Sequence, residues 1–240
     1  MFSLGSLGEG VRYAFTSRAG GVSAPPYDEL NLSADVGDAA AAVARNRELV
    51  LDRLGIDSAV WLTARHGAEV AVVTAETRET EGSPQVDAMV TDRAGLGLAA
   101  LSADCALLVL ADPEAGIIAA AHCGRPGLVA GVVASAAAAM REIGARSISA
   151  ALGPSICPAC YEVPQAMADD VWSVVPESEG RTVDGRPSVD LAGGIIAQLA
   201  ASNVELLRRV GGCTREDPAL FSYRRDHVTG RMAALVWRTS

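Results

Sequence analysis

LSADCALLVLADPEAGIIAAAHCGRPG, residues 101–127, contains two apolar runs separated by a polar turn. Each run is too short for a long helix and is bounded by breaker residues, which predicts two buried strands. Cys105, preceded by Asp104, opens the first run, and His122 closes the second just before a Gly- and Pro-rich turn. The strand pair delivers a thiol and an imidazole to one edge. A thiolate and a neutral imidazole are ligands that a borderline-soft metal such as zinc prefers. They are equally the pair a cysteine hydrolase needs, so both chemistries stay open at this level.

Working downstream, Pro126 suits the first turn of a helix expected from about Gly127 to Ile143, apolar nearly all round and therefore buried. His122 then lies beside a helix N-terminus, where the dipole and unpaired N–H groups favour anions. Arg125 adds positive charge there and makes this corner a candidate phosphate site. Ser147–Leu152 reads as a strand running into GPSICPACYEVP (153–164), with Cys157 and Cys160 spaced as C-x-x-C. That spacing suits a redox pair or half of a structural zinc site. No second C-x-x-C exists, which excludes a Cys₄ ribbon; a structural turn is the favoured reading, with transient disulfide chemistry as the lesser one. Val163–Val175 reads as a short helix and 176–188 as a polar loop. Asp190 caps an amphipathic helix expected to carry Leu191, Ile195, Leu199, Leu206 and Val210 on one face, and Ala233–Trp237 reads as a closing strand.

Upstream, Val11–Thr16 alternates like a strand. Residues 16–38 are dense in Gly, Pro, Ser, Asn and Asp and long for a loop without a function. Arg18 in this loop is a candidate fork for a carboxylate or phosphate; the plainer reading is a solvated arginine. Asp38 is the expected N-cap of a helix over Ala39–Leu54, in which Asn46 and Arg47 point to a loop or to water. WLTARHGAEVAVVTAE (61–76) reads as strand, turn, strand, with His66-Gly67 at the turn. A polar turn-like stretch follows at 77–85, then a strand at Val86–Thr91 with Asp87 at its head.

Composition narrows the function. The chain has 240 residues, half of them apolar, enough for one substantial core; with no repeats and no linker, a single domain over 1–240 is expected. A net charge of −9 and no basic stripe exclude a general polyanion binder, hence no nucleic-acid partner. There is no lysine, which removes Schiff-base and P-loop lysine chemistry. No apolar run reaches membrane length. Five cysteines, an odd number, and no N-terminal secretory signal point to free thiols in the cytoplasm.

Only three histidines exist, His66, His122 and His227. A zinc held by His66, Cys105 and His122 has three protein ligands and one open position, the pattern of a catalytic site. In that arrangement Asp104 orients an imidazole or acts as an acid/base; the plainer reading is a hydrogen-bonded carboxylate at a strand end. A competing reading makes Cys105 a nucleophile and His122 its base without metal. A third treats Cys105 as a small buried hydrophobe and His122 as a core histidine.

SRAGGVS (17–23), YDELNLSADVGD (27–38), RHG (65–67), DAMVT (87–91), SADC (102–105), HCG (122–124), GPSI…CYEV (153–163) and FSYRRD…TGR (221–231) occur in order along nearly the whole chain. Together they resemble the multicopper polyphenol oxidase (laccase-domain) or purine nucleoside phosphorylase family. The resemblance implies a mixed α/β (α+β) fold, a layered α/β/β/α sandwich of mixed sheets. It implies zinc on His66, Cys105 and His122, and phosphorolysis of adenosine, inosine, guanosine and 5′-methylthioadenosine, with adenosine deamination alongside. The same fold resembles a bacterial toxin deamidase with a Cys–His pair, which keeps open an amidase acting on cell-wall precursors. A non-catalytic metal- or partner-binding protein is the reading from a different class. Where the family reads Ala-Gly-Trp-Arg-Gly after the second histidine, this chain has Cys123-Gly124-Arg125-Pro126-Gly127, so Pro126 stands at the family's arginine position and Arg125 one place earlier. The usual Gln two residues before the first histidine is Ala64. Three histidines cannot furnish the copper sites of a multicopper oxidase, although two imidazoles and a thiolate suit a single copper.

Overall fold

The computed structural model describes residues 2–74 and 83–239, and it is a mixed α/β protein built on two large sheets. The first has five strands in the order β1 (Phe2–Ser6), β2 (Val11–Thr16), β13 (Met232–Arg238), β6 (Gly97–Ser102), β3 (Ala59–Trp61). The second has six, in the order β12 (Glu205–Arg209), β9 (Ser149–Leu152), β7 (Ala106–Asp112), β8 (Ile117–Cys123), β5 (Ala88–Thr91), β4 (Val70–Val72). A small antiparallel pair, β10 (Glu179–Arg181) with β11 (Pro187–Val189), lies apart from both. Of the stretch expected to be turn-like, 77–82 lies outside the described residues.

Strand periodicity builds the layers. Leu107, Val109 and Ala111 of β7 meet Phe15 of β2, Leu98 of β6 and Val236 of β13 between the two sheets. The alternate residues Leu108 and Leu110 face the other way, onto helices, because successive side chains leave a strand on opposite faces. Those helices are α2 (Arg125–Ala130), α3 (Val132–Glu142), α4 (Gln165–Val174) and α5 (Leu191–Ala201). The outer face of the five-stranded sheet buries Ala99, Leu101 and Leu235 against Val50 of α1 (Ala40–Leu54). The result is the expected α/β/β/α sandwich. A fully buried Asn46 on α1 accepts from Val22 N–H at 2.8 Å and donates to the Asn31 carbonyl at 2.9 Å, so it faces the 16–38 loop and anchors it.

Several sequence expectations are corrected. The helix read across 127–143 is two helices, starting at Arg125 and broken at Gly131, whose φ of 82° is left-handed. Asp38 does not cap α1; Ala39 holds the N-cap position, and Asp38 accepts instead from Ser23 Oγ at 2.6 Å and Asn31 Nδ2 at 2.9 Å. The helix after Asp190 stops at Ala201; Asn203 turns with φ 52°, and Leu206 sits on β12. Asp190 does cap α5, accepting from Gly193 N–H at 2.9 Å. The 176–188 loop contains β10 and the start of β11.

A buried carboxylate ties the sheet together away from the cavity. Asp112 accepts from the N–H groups of Arg146 at 2.6 Å, Ser147 at 2.9 Å and Ala115 at 3.1 Å. Burial raises its pKa, but these bonds outweigh it and hold the carboxyl below its ordinary value. A depressed folded pKa stabilises above the unfolded value and is lost as pH falls through the folded one. Asp112→Ala is therefore expected to cost about 2–3 kcal/mol at neutral pH. The gap from wild type should close in acid, below the ordinary aspartate value of about 3.9, as urea titrations at several pH values would show.

Candidate metal centre

Two chain crossings between the sheets build the site. Residues 62–69 pass from β3 to β4, carrying His66, and 103–105 pass from β6 to β7, carrying Cys105. Ala106 pairs with Cys123 and Leu107 with His122. By strand parity, His122 faces the gap between the sheets while Cys123 turns to the helix side, where it belongs to the helix-facing core. Burial pushes the Cys123 thiol far up, with Cys105 and Asp87 adding to the shift, so it stays protonated.

The donor atoms of His66, Cys105 and His122 lie within 4.8 Å of one another. The two imidazoles meet edge to face with centroids 4.7 Å apart. A fully buried Asp87 organises this group. It accepts from the backbone N–H groups of Arg65 at 3.2 Å, His66 at 2.9 Å and Gly67 at 2.7 Å, and lies 2.9 Å from His122 Nδ1. Its pKa falls below the ordinary value: burial opposes ionisation, but His122 and the bonds from Gly67 and His66 prevail. With Nδ1 committed to Asp87, Nε2 is the nitrogen of His122 left to face a metal, an arrangement in which a carboxylate fixes a metal-binding imidazole. Burial disfavours charge on both Cys105 and His122, yet each stabilises the other's ion: the thiol is shifted down and the imidazole up.

Gly124 leaves room for an ion among the three donors. A Cβ there would stand 3.0 Å from Cys105 Sγ, 3.0 Å from His66 Cδ2 and 3.2 Å from His122 Cε1. The missing side chain leaves the space between the three donors open. Two imidazoles and a thiolate, oriented by a carboxylate and with room between them, fit zinc and leave it one position for a non-protein ligand. The backbone at Gly124, φ −82° and ψ 170°, is accessible to any residue. Gly124→Ala is therefore expected to fold normally but to lose metal affinity by about 10-fold or more, the size of effect seen when a donor's support is disturbed; metal-buffer titration measures it.

A cavity of about 500 Å³ opens over these donors, lined among others by Ser33, Asp35, Leu62, Ile156, Tyr161, Tyr223, Arg224 and Arg231. Its size suits a small organic ligand. The structure places the arginines differently from the sequence expectation. Arg18 does not line the cavity: its NH2 donates to both carboxylate oxygens of Asp28, at 2.9 and 3.0 Å, and its guanidinium stacks 5.3 Å over Phe221 and approaches Asp226 at 3.6 Å. Arg125 opens α2 beside the Tyr161 hydroxyl rather than in the cavity wall. The wall carries Arg224 and Arg231 instead. Burial lowers the Arg231 pKa while the nearby Cys105 and Asp104 charges oppose that, and its NH1 donates to Thr229 and Gly230 carbonyls at 2.8 and 3.1 Å. Arg224 stacks 5.1 Å over the Tyr161 ring.

Asp104 follows the plainer of its two readings, a hydrogen-bonded carboxylate at a strand end. One carboxylate oxygen accepts from Thr214 Oγ1 and the other from Arg224 N–H, both at 2.6 Å, at a backbone φ of 98°. It ties the cavity floor to distant loops, and the carboxylate that orients an imidazole is Asp87. His227 stays outside the donor group, exposed and edge-on to Tyr223. Nothing local in the sequence marked Asp87 beyond its place at a strand head; Arg224 and Arg231 lay inside a quoted motif, FSYRRD…TGR, without an assigned role.

A family model described as multi-copper polyphenol oxidoreductase laccase matches residues 12–239. Purine nucleoside phosphorylase ORF3 of Streptomyces griseus is 51% identical over 231 residues, covering 95% of this chain and 94% of its own length. Purine nucleoside phosphorylase YfiH of Escherichia coli K12 is 33% identical, with 95% and 94% covered. Among solved structures, a Neisseria meningitidis protein superposes with a TM-score of 0.88 at 34% identity, covering 100% of this chain and 99% of that one. YlmD from Geobacillus stearothermophilus gives 0.86 at 31% identity, with 97% and 93% covered.

Proposed function

The chain belongs to the multi-copper polyphenol oxidoreductase laccase family, whose similar members are named purine nucleoside phosphorylases; from this and the cavity chemistry we propose that it is a zinc-dependent purine nucleoside phosphorylase. The substrates in this reading are adenosine, inosine, guanosine and 5′-methylthioadenosine, with deamination of adenosine as a side activity. The observation that carries it is the meeting of His66, Cys105 and His122 in one cavity with Arg224 and Arg231.

In phosphorolysis a phosphate oxygen bonds to ribose C1′ as the bond from C1′ to the purine nitrogen breaks. The purine departs with a proton, and ribose 1-phosphate remains. The ribose becomes cationic and the purine anionic on the way, so groups that hold phosphate against C1′ and accommodate charge on the base lower the barrier. Arg231, partly buried in the wall, and Arg224 supply the positive charge for phosphate. Asp87 holds His122 in one orientation and tautomer. The apolar side chains of Leu62 and Ile156 exclude water from one side of the cavity. His66, Cys105 and His122 would hold the zinc ion, which would supply Lewis acidity there. Copper suits the same donors, but a four-copper centre does not fit three histidines. Five unpaired cysteines suit a cytoplasmic setting.

One observation favours a second reading. Cys105, His122 and Asp87 form a chain of thiol, imidazole and carboxylate, the order of groups in a cysteine amidase. Chromatography of adenosine incubated with the protein separates the two. Phosphate-dependent adenine release, abolished by chelation and by His122→Ala, is the expected result. Neither adenine nor inosine under any condition would sink the nucleoside reading, and chelator-insensitive cleavage of amides would install the amidase.

A further inference from the structure

Three cysteines outside the cavity converge although they come from distant parts of the chain. The sulfurs of Cys157, Cys160 and Cys213 and a carboxylate oxygen of Glu216 lie within 4.8 Å of one another. Cys160 and Cys213 are buried, Cys157 is half-buried, and Glu216 is exposed at the rim. Two segments supply them, clamped by backbone pairing: Ser155 bridges Cys213 in parallel, and Thr214 N–H donates to the Ser155 carbonyl at 3.3 Å. The Cys157 N–H donates to Cys213 Sγ at 3.3 Å, a bond that favours a thiolate at that position. Cys160 Sγ stands 3.5 Å from Glu216 Oε1.

We infer that Cys157, Cys160, Cys213 and Glu216 form a second, structural zinc site, sharing no ligand with the first. Three thiolates and one carboxylate oxygen complete a four-coordinate zinc shell without an open position, and a closed shell marks a structural rather than a catalytic site. Buried thiols alone pack as small hydrophobes; here three sulfurs converge, and Cys160 Sγ donates to Glu216 Oε1, a contact in which an ion would take the place of the thiol proton. A disulfide also fits poorly, because three sulfurs gather where a disulfide uses two. A cavity bordered by Cys160 and Glu216 gives the ion a path from solvent.

The site reaches the first cavity through its neighbours in sequence. Thr214, next to Cys213, holds Asp104 at 2.6 Å, and Ile156 N–H donates to the Asp104 carbonyl at 2.9 Å. Tyr161, next to Cys160, lines the cavity. Zinc here clamps two loops that set the wall beside Cys105. The inference stands independently of the proposed reaction.

Metal content and thiol accessibility of the whole purified protein test it. Wild type is expected to hold two zinc ions per chain, and Cys160→Ser and His66→Ala one each. Iodoacetamide followed by peptide mass mapping should leave Cys157 unmodified until a strong chelator strips the protein. If Cys160→Ser fails to fold, Glu216→Gln should still release one zinc to a lower concentration of competing chelator than wild type. Loss of zinc in Cys160→Ser but none in His66→Ala would sink the first metal centre and uphold this one. A wild-type Cys157 that alkylates equally fast before and after chelation would overturn the second site, as would a Cys157–Cys160 disulfide in the freshly purified protein.

Discussion

Cys105→Ala is expected to lower kcat/KM for adenosine phosphorolysis by about 10³-fold or more, equivalent to about 4 kcal/mol of transition-state stabilisation. In the proposed reading the thiol contributes a metal donor and the negative charge that balances His122. Losing it leaves two imidazoles for the ion. Cys105 lies at the start of β7 on the cavity wall, so removing its sulfur opens no void inside the core, and any fall in melting temperature should be no larger than the one chelation produces in wild type. One zinc per chain should be lost with the activity. Cys105→Ser should not rescue, because a neutral hydroxyl neither ionises near pH 7 nor replaces the soft donor. Steady-state kinetics combined with metal analysis read all three. Full activity in Cys105→Ala would remove this residue from the reaction.

Asp87→Asn carries the second large effect, on stability as well as function. Both carboxylate oxygens accept bonds, one from His66 N–H with His122 Nδ1 beside it, the other from the N–H groups of Arg65 and Gly67. An amide replaces one of these acceptors with a donor, and either flip sets NH₂ against N–H groups in a fully buried place. We expect a loss of about 3 kcal/mol or more from the unsatisfied buried donors, and 10- to 100-fold weaker metal binding from the misoriented His122. The pH dependence gives an independent check. The Asp87 carboxyl is held below its ordinary value, so its stabilisation is complete above the unfolded aspartate pKa of about 3.9 and is lost as pH falls through the folded one. Wild type should therefore lose stability in acid more steeply than Asp87→Asn, which has no carboxylate to protonate there.

What could be read from the sequence follows from the range of the interactions. Short continuous apolar runs and bounding turns mark β7 and β8, and their pairing puts Cys105 beside His122; neither inference needs a distant residue. The cap of α5 by Asp190 is equally local. Arg18, expected to bind an anion, instead meets a carboxylate of its own loop, Asp28, through one guanidinium nitrogen. Asp87 was illegible because its work depends on β5 lying next to β8 and on the 65–67 turn folding over its head. The helix expected to run on to Val210 failed because Leu206 and Val210 fit a helical period as well as a strand, and only the turn at Asn203 separates them. C-x-x-C at Cys157 and Cys160 read as a turn because its partners are a lone cysteine and a glutamate more than fifty residues on.

The most direct test of the central reading is phosphorus NMR of the zinc-loaded protein with adenosine and inorganic phosphate. Ribose 1-phosphate should grow in step with adenine, stop on chelation and resume when zinc is restored. Free ribose released with adenine while inorganic phosphate stays constant would contradict phosphorolysis, and unchanged adenosine would contradict the nucleoside reading as a whole.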